Sequence, residues 1–168
     1  MGLDMFLKRK KYIGGNYAFN NVEGIIDVTS RGKKIPIDLK KVSYIDEEIG
    51  YWRKANAIHK WFVDNVQEGN DDCKNYEVSI EELEKLLKLC ESIKEKAKID
   101  DEGNIINAEE IASILPTESG FFFGSTDYDK YYMEDIDYTI KMLKEVLKEE
   151  EEYDKAGICT VIEYTAWW

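Results

Sequence analysis

A cluster of side chains suited to ligand binding lies between Gly50 and Val66, in the segment GYWRKANAIHKWFVDNV. It holds two of the four tryptophans, an arginine, two lysines and the only histidine of the chain. If the segment is helical, four-residue spacing places Trp52, Asn56 and His59 on one face, at the boundary between core and solvent. An exposed indole stacks on planar ligands, and neighbouring cations bind anions. The segment therefore predicts a ligand-binding row made of Trp52, Arg53, Lys54, Asn56 and His59.

The alternative interpretation assigns the same aromatic side chains to packing. On the same helix, Tyr51, Ala55, Ile58 and Phe62 form an apolar stripe typical of a core-facing surface. Trp52 and His59 would then be boundary residues whose ring N–H groups bond to backbone carbonyls. Both interpretations are open on the sequence alone.

A second distinctive stretch is LPTESGFFFGSTDYDKYY, in which two glycines bracket three phenylalanines. Glycine-bounded loops expose backbone N–H groups to anions, so Ser125 and Thr126 join the ligand-binding candidates. The stretch lacks the patterns of a P-loop and of a dinucleotide-binding turn. The structural alternative is a buried strand over residues 119–125, a turn, and the N-cap of a following helix.

The sequence predicts no metal site and no cofactor. Asp127 and Asp129 resemble the start of a calcium loop, but Tyr131 and Tyr138 occupy the fifth and twelfth positions, where oxygen ligands are needed. One histidine and three scattered cysteines give no zinc pattern; these cysteines are Cys73, Cys90 and Cys159. Their odd number and wide spacing indicate reduced thiols, with Cys90 on the buried face of a helix.

The net charge of −12 is unevenly distributed along the chain. Residues 1–66 contain 12 Lys and Arg against 8 Asp and Glu, whereas residues 67–168 contain 11 lysines against 27 Asp and Glu. This balance disfavours direct nucleic-acid binding. It favours a protein partner with a basic surface, which the acidic C-terminal half would attract.

Several acidic side chains of the C-terminal half are candidates for contact with such a partner. The run of four glutamates is placed unfavourably near the negative end of a helix, so a partner is one reason to keep it. Lys141, Lys144 and Lys148 interrupt any continuous acidic stripe along this helix, which makes a helix-long mimic of nucleic-acid phosphates weak. The partner-binding candidates are Asp127, Asp129, Glu134, Asp135, Glu149, Glu150, Glu151 and Glu152.

Patterns in the N-terminal half predict strands followed by a helix. Leu3, Met5 and Leu7 alternate with Asp4 and Phe6, which is typical of a strand. A turn at residues 14–16 precedes a second strand at 22–30, a tight connection at 31–34 and a short extended edge piece containing Pro36. A helix is then predicted from about Asp46–Gly50 to Val66.

The C-terminal half predicts two long helices, one short helix and further strands. After a brief strand at 76–78, a capping box at Ser79 and Glu82 starts a helix that buries the stripe from Leu83 to Ala97. Pro116 stops a short helix, a third main helix runs to about Glu151, and residues 157–168 form a strand. We expect one α+β domain over residues 1–168, with a small antiparallel or mixed sheet packed against about three main helices.

Three segments resemble short uncharacterised acidic proteins encoded by bacteriophages and prophages of low-GC bacteria. They are MGLDM at the start, GYWRKANAIHKWF, and LPTESGFFFGSTDYDKYY, and the resemblance covers most of the chain in order. It implies an accessory protein that acts in the cytoplasm of a bacterial host. By analogy with other small acidic phage proteins, it implies binding and inhibition of a host factor, including a defence system.

Three functional hypotheses follow from these patterns. The first is a non-catalytic binding protein that occupies a basic surface of a host protein. The second is a small-molecule or nucleotide binder that uses Trp52, Arg53, Asn56 and His59. The third is an unrecognised hydrolase that combines His59 with Asp127 or Asp129 in one cleft. The lack of a catalytic motif favours binding over catalysis.

Overall fold

Buried apolar residues alternate with more exposed residues along the first strand, which lies at the centre of the fold. The computed structural model describes residues 2–13, 27–38 and 41–168. The predicted turn at residues 14–16 and most of the predicted strand at 22–30 lie outside these residues. Leu3, Met5 and Leu7 point to one face and are fully buried, while the residues between them are only half-buried. The first strand is therefore confirmed.

Within the described residues the chain forms six strands and four helices, an α+β architecture as predicted. The strands are β1 (Asp4–Tyr12), β2 (Val28–Ser30), β3 (Lys33–Ile35), β4 (Tyr44–Arg53), β5 (Tyr76–Glu77) and β6 (Thr160–Trp167). The helices are α1 (Asn56–Asn65), α2 (Ile80–Lys96), α3 (Ala108–Ile114) and α4 (Lys130–Lys155).

The main sheet is antiparallel, with the strand order β4-β1-β6-β5, and β2 and β3 form a separate hairpin. Arg31 and Gly32 turn this hairpin with positive φ angles, as its tight connection requires. One face of the main sheet carries the buried side chains of β1 and β6. Phe62 of α1 stacks on Tyr164 of β6 on this face, with ring centroids 3.9 Å apart.

The predicted capping box starts α2. Ser79 accepts a hydrogen bond from the Glu82 backbone, and the Glu82 carboxylate accepts one from the Ser79 backbone. Leu83, Leu86 and Cys90 are fully buried below it. Helix α2 packs against α4 and α3, and α4 also contacts β4. The burial of Ile93 in α2 and of Ile136, Ile140 and Leu143 in α4 confirms the predicted core faces of both long helices.

The predicted helix start at Asp46–Gly50 is wrong, because residues 44–53 form β4. This strand pairs with β1 along its whole length, and a bulge shifts the register between Leu7 and Lys8. The bulge changes the phase of the alternation at Ile49 and Gly50, so inward and outward positions lose their strict period of two. A side chain at Gly50 would meet Met142 at 3.0 Å and Leu7 at 3.3 Å, which explains the glycine there.

The predicted buried strand at residues 119–125 is also wrong, because the segment forms a turn. The three phenylalanines have three different environments: Phe121 is exposed, Phe122 is half-buried and Phe123 is buried. Gly124 adopts a φ of +89°, which a strand does not allow. Three consecutive phenylalanines show no alternation of apolar and polar residues, so the sequence alone does not distinguish this turn from a short buried strand.

A buried arginine joins the C-terminal end of α4 to the sheet. Arg9 lies on the helix-covered face of β1 and is only 1% exposed. Its guanidinium donates to Glu150, to Glu149 at 2.8 Å and to Glu47 of β4 at 3.3 Å. Burial lowers the pKa of Arg9, but the bonds and charges of Glu149 and Glu150 more than offset this, so its pKa is raised.

This network corrects the prediction for the glutamate run. Glu150 is buried and also accepts a hydrogen bond from Thr160, so it is unavailable to a partner. Glu149 bonds to the same arginine, and Glu151 pairs with Lys155. Glu152 is 3.9 Å from Lys148. Glu150 is therefore excluded as a partner contact, whereas Glu149, Glu151 and Glu152 are exposed and stay predictions.

Replacement of Glu150 by alanine should destabilise the fold strongly. Arg9 would lose its one buried carboxylate partner and keep only Glu149 and Glu47, which are more exposed. Removing one member of a buried ion pair costs up to about 3 to 5 kcal/mol, and the two remaining partners place the expected loss toward the lower end of that range. Glu152→Ala is the matched control from the same run and should change the free energy of unfolding by less than about 0.5 kcal/mol. Urea denaturation followed by circular dichroism measures both values. Equal stability of the two variants would contradict the structural role of Arg9.

Candidate functional site

A cleft of about 550 Å³ lies where the end of β4 meets the start of α4. One wall is formed by residues 53–58, from the β4–α1 junction. The opposite wall is formed by the turn after α3 and by the first two turns of α4. Two stretches nearly seventy residues apart in sequence therefore meet. The predicted site residues that line the cleft are Arg53, Lys54, Asn56, Ser125, Asp127, Asp129, Glu134 and Asp135.

Asn56, the first residue of α1, holds the two walls together. Its side-chain amide donates to the carbonyls of Phe123 at 3.1 Å and Ser125 at 2.7 Å. Its side-chain oxygen accepts from the backbone N–H of Glu118 at 3.1 Å. The buried Asn56 side chain thus binds backbone groups of residues 118–125, a segment that is not paired with any strand. Asn56 was predicted as a ligand contact, but its hydrogen bonds are intramolecular.

The backbone at Lys54 turns sharply to begin this wall. Its φ is +61°, which is unfavourable for a residue with a side chain. Two short backbone bonds impose the turn, from Lys54 N–H to the Leu3 carbonyl and from Asn56 N–H to the Lys54 carbonyl, each 2.8 Å. The lysine side chain lies against Gly124 of the other wall. Strained non-glycine residues occur often at functional sites, but Arg31, Glu68 and Cys73 also have positive φ and do not line the cleft.

The acidic side chains of the opposite wall also order the entry to α4. Asp129 is the N-cap and accepts from the backbone N–H groups of Tyr131 at 2.9 Å and Tyr132 at 3.1 Å. Asp127 accepts from the Ser125 hydroxyl at 2.7 Å. The predicted helix N-cap is therefore confirmed. Thr126 does not line the cleft, and its carbonyl accepts from Thr117 instead.

The cleft carries more negative than positive charge. Asp127, Asp129, Glu134 and Asp135 face Arg53 and Lys54. Arg53 is 61% exposed, and its ion pair with Asp4, at 3.8 Å, contributes little. Burial, helped by Glu134 and Asp129, raises the pKa of Asp135 to about 7. An incoming cation would relieve this repulsion, whereas an incoming phosphate would increase it.

The predicted exposed row of Trp52 and His59 is wrong. Trp52 is 2% exposed, because it lies on the inner face of β4 rather than on a helix. Its indole N–H donates to the Thr139 hydroxyl at 2.8 Å, and its ring contacts Phe62 and Tyr138 edge-on. No ring face is open to a ligand. The packing interpretation is therefore the correct one for this tryptophan.

His59 is also buried, at 1% exposure, and lies away from the cleft. One ring nitrogen is 2.8 Å from the Tyr164 hydroxyl, and the other is 3.1 Å from the Asp71 carboxylate. Phe123 and Trp168 pack against the ring. His59 reaches a separate cavity of about 300 Å³ that Asp71 also lines.

This placement separates the histidine from the acids proposed for a hydrolase. Asp127 and Asp129 line the cleft, whereas His59 does not. The Tyr164–His59–Asp71 chain resembles a nucleophile, a base and an orienting acid. However, Tyr164 is fully buried, and burial raises its pKa well above the ordinary value. It therefore cannot reach a substrate, and the hydrolase hypothesis loses its catalytic pair.

Eight cleft residues were absent from the predicted site: Ala55, Ala57, Ile58, Thr117, Gly124, Tyr131, Tyr132 and Ile136. The predicted N-cap at the start of α4 was an available signal for the two tyrosines, since residues of the first helical turn lie beside their cap. Asp71, the partner of His59, had no such signal. Asp71 reaches His59 from the loop that follows α1, and no local sequence pattern predicts the path of that loop.

A search of protein-family models, curated proteins and solved structures finds no match to this chain. Among the residues that the structure describes, no helix is both long and apolar enough to cross a bilayer. The same residues contain no group of three or more His, Cys, Asp or Glu side chains placed to hold a metal ion. Inference about function therefore rests on the geometry and the charge of the cleft.

Replacement of Asn56 by alanine should loosen the turn that forms the second wall. Three backbone groups lose their partner, and each buried group left unpaired costs about 1 to 3 kcal/mol. We expect a loss of about 3 kcal/mol in the free energy of unfolding, with faster amide exchange at Glu118. Asn65→Ala is the control, since this exposed asparagine at the other end of α1 makes one such bond. Similar losses in both variants would show that Asn56 does not hold the walls together.

The raised pKa of Asp135 predicts a pH dependence of stability. The folded protein keeps the Asp135 proton to a higher pH than the unfolded chain does. This contribution therefore favours folding at acid pH and is lost as the pH rises from about 4 through about 7. Asp135→Asn removes it, so the variant should gain stability over wild type with rising pH, by at most about 1.4 kcal/mol per pH unit.

Urea denaturation of wild type and Asp135→Asn at about pH 4, 6 and 8 measures this difference. Asp137→Asn is the control, because this exposed carboxylate lies two residues along the same helix and pairs with Lys94. A constant difference between wild type and Asp135→Asn across this range would show that the carboxyl ionises as freely in the fold as in the unfolded chain.

Proposed function

We propose that this protein is a non-catalytic accessory binding protein that engages a basic surface of a host protein. The cleft is the observation that carries this proposal. It gathers four carboxylates opposite two cationic side chains. One of the four, Asp135, is buried enough that its pKa is raised and its ionised form is disfavoured. A lysine or arginine side chain of a partner would be bound by charge-assisted hydrogen bonds there.

The charge of the whole C-terminal half supports the same kind of partner. Residues 67–168 carry 27 acidic side chains against 11 lysines. A field of this sign accelerates the approach of a basic surface and repels nucleic acid. The cleft then supplies the short-range contacts that a general field cannot, because its two walls are fixed by Asn56.

The alternative of a nucleotide binder is less well supported by the geometry. Its stacking surface was to be Trp52, which is buried against Thr139 and Phe62. Its anion site was to include His59, which is bonded to Asp71. Arg53 and Lys54 do line the cleft, but the carboxylates around them outnumber them. A phosphate would therefore enter a region of repulsion.

The resemblance to phage-encoded proteins bears on the identity of the partner. It supports a protein of the bacterial host as the target, in the host cytoplasm, with inhibition of a defence system as the biological effect. A small acidic protein needs no catalysis for this role, since occupation of a functional basic surface is sufficient for inhibition.

The test is capture of the partner from a host lysate, its identification, and titration with both purified proteins. Asp127→Asn/Glu134→Gln neutralises two cleft charges, and Glu151→Gln/Glu152→Gln neutralises two at the opposite end of α4. We expect the first variant to bind about tenfold more weakly at low salt and the second to bind like wild type. The difference should shrink as NaCl rises from about 0.05 M to about 0.5 M.

Two results would refute the proposal. One is affinity that does not depend on salt, because an electrostatic interface must be screened. The other is equal weakening by the two double variants, because that would assign binding to overall charge rather than to the cleft.

A further inference from the structure

The turn beside the cleft presents a phenylalanine almost completely to solvent. Phe121 is 95% exposed. Its ring packs edge-on against Phe122, at 4.8 Å between centroids. The side chain therefore contributes little apolar burial to the fold, while exposing the kind of surface that folded proteins usually bury.

The backbone that carries Phe121 is held firmly on both sides. Phe123 is buried between His59 and Trp168, and Asn56 binds its carbonyl. The Leu3 N–H donates to the Phe122 carbonyl at 3.1 Å, which ties the turn to the end of the sheet. Phe123 N–H closes the turn on the Gly120 carbonyl at 3.2 Å. Phe121 is thus displayed by a fixed turn rather than by a loose loop.

The turn leads directly into one wall of the cleft. Gly124 and Ser125, which follow the phenylalanines, line the cleft directly. Lys54 packs on Gly124, and Tyr131, an exposed aromatic at the cleft, begins α4. Exposed apolar residues and acidic residues therefore follow one another within a few positions of this segment. Interfaces combine these contacts in this way, with an aromatic anchor in an apolar pocket and a polar rim around it.

Rigid display matters for affinity because binding then orders little of the chain. A side chain on a disordered loop loses conformational entropy when it docks, whereas Phe121 has a backbone already fixed. Aromatic anchors of this type commonly supply the largest single contributions to protein–protein affinity.

We propose that Phe121 is the apolar anchor beside this cleft and inserts into an apolar pocket, bordered by lysine or arginine side chains, on a folded partner protein. The basic border follows from charge complementarity with the carboxylates of the adjoining cleft. This inference rests on the proposed function, because it assigns the pocket to the same basic partner.

The first experiment is titration of the purified partner with Phe121→Ala. Ile106→Ala is the matched control, since Ile106 is also a large exposed apolar residue, at 68%, and lies in the loop before α3. We expect at least about tenfold weaker binding for Phe121→Ala and no change for Ile106→Ala. The salt dependence of Phe121→Ala should equal that of wild type, since no charge is removed. Thermal unfolding of both variants should match wild type.

The outcomes separate this inference from the proposed function. If Asp127→Asn/Glu134→Gln weakens binding and Phe121→Ala does not, the anchor is refuted and the acidic contact stands. If wild type shows no salt-dependent binding to any basic protein, the proposed function fails and the anchor fails with it.

A photo-crosslinking residue identifies what contacts the anchor. Benzoyl-phenylalanine at position 121, with position 106 as control, is irradiated in host cells, and the crosslinked peptide is sequenced by mass spectrometry. A crosslink from position 121 alone to a partner peptide that combines apolar residues with lysine or arginine supports the inference. A crosslink to a second copy of this chain, to lipid, or to nothing overturns it.

Discussion

The buried guanidinium of Arg9 is the constraint on which the arrangement of sheet and helices depends. It bonds to β4 through Glu47 and to the C-terminal end of α4 through Glu149 and Glu150. A charge this deep is tolerated only when most of its donors are satisfied, so the three elements can meet in few other ways. The ion pair therefore contributes, together with the packing of α4 against α2, to the rotation of α4 about its own axis.

That rotation determines the cleft at the far end of the same helix. Helix α4 has 26 residues and, at about 1.5 Å per residue, is about 39 Å long. With Glu150 facing Arg9, the buried stripe through Ile136 and Thr139 faces the sheet, and Thr139 accepts from the Trp52 indole. Glu134 and Asp135 are then carried to the rim of the β4–α1 junction. The acidic residues of α4 thus form two groups. Glu149 and Glu150 bind Arg9 at one end of the helix, and Glu134 and Asp135 line the cleft at the other.

The elements that sequence predicts well are those whose signal is local. The capping box of α2 and the alternation of β1 each lie within a few residues, and both elements are confirmed. The prediction for β4 was wrong because a bulge interrupts the alternation of inward and outward residues in this strand. The remaining spacing of apolar residues resembles that of a helix. The hydrogen bond between Arg9 and Glu150 joins residues that are 141 positions apart in sequence, and no local pattern predicts it. The same holds for the cleft: half of its lining residues were predicted as site residues, but only the tertiary fold brings the two stretches together.

The cleft is distinguished from ordinary surface by unfavourable features that occur together. Lys54 has a left-handed backbone, Asp135 has a carboxyl held where ionisation is disfavoured, and Phe121 is exposed on a fixed turn. Each lowers stability or solubility, and none is needed to close the core. Proteins often break local rules where function requires it, and these three features lie in the cleft or in the turn that leads into it. A partner that neutralises the carboxylates and covers the phenylalanine would relieve two of these costs in a single contact.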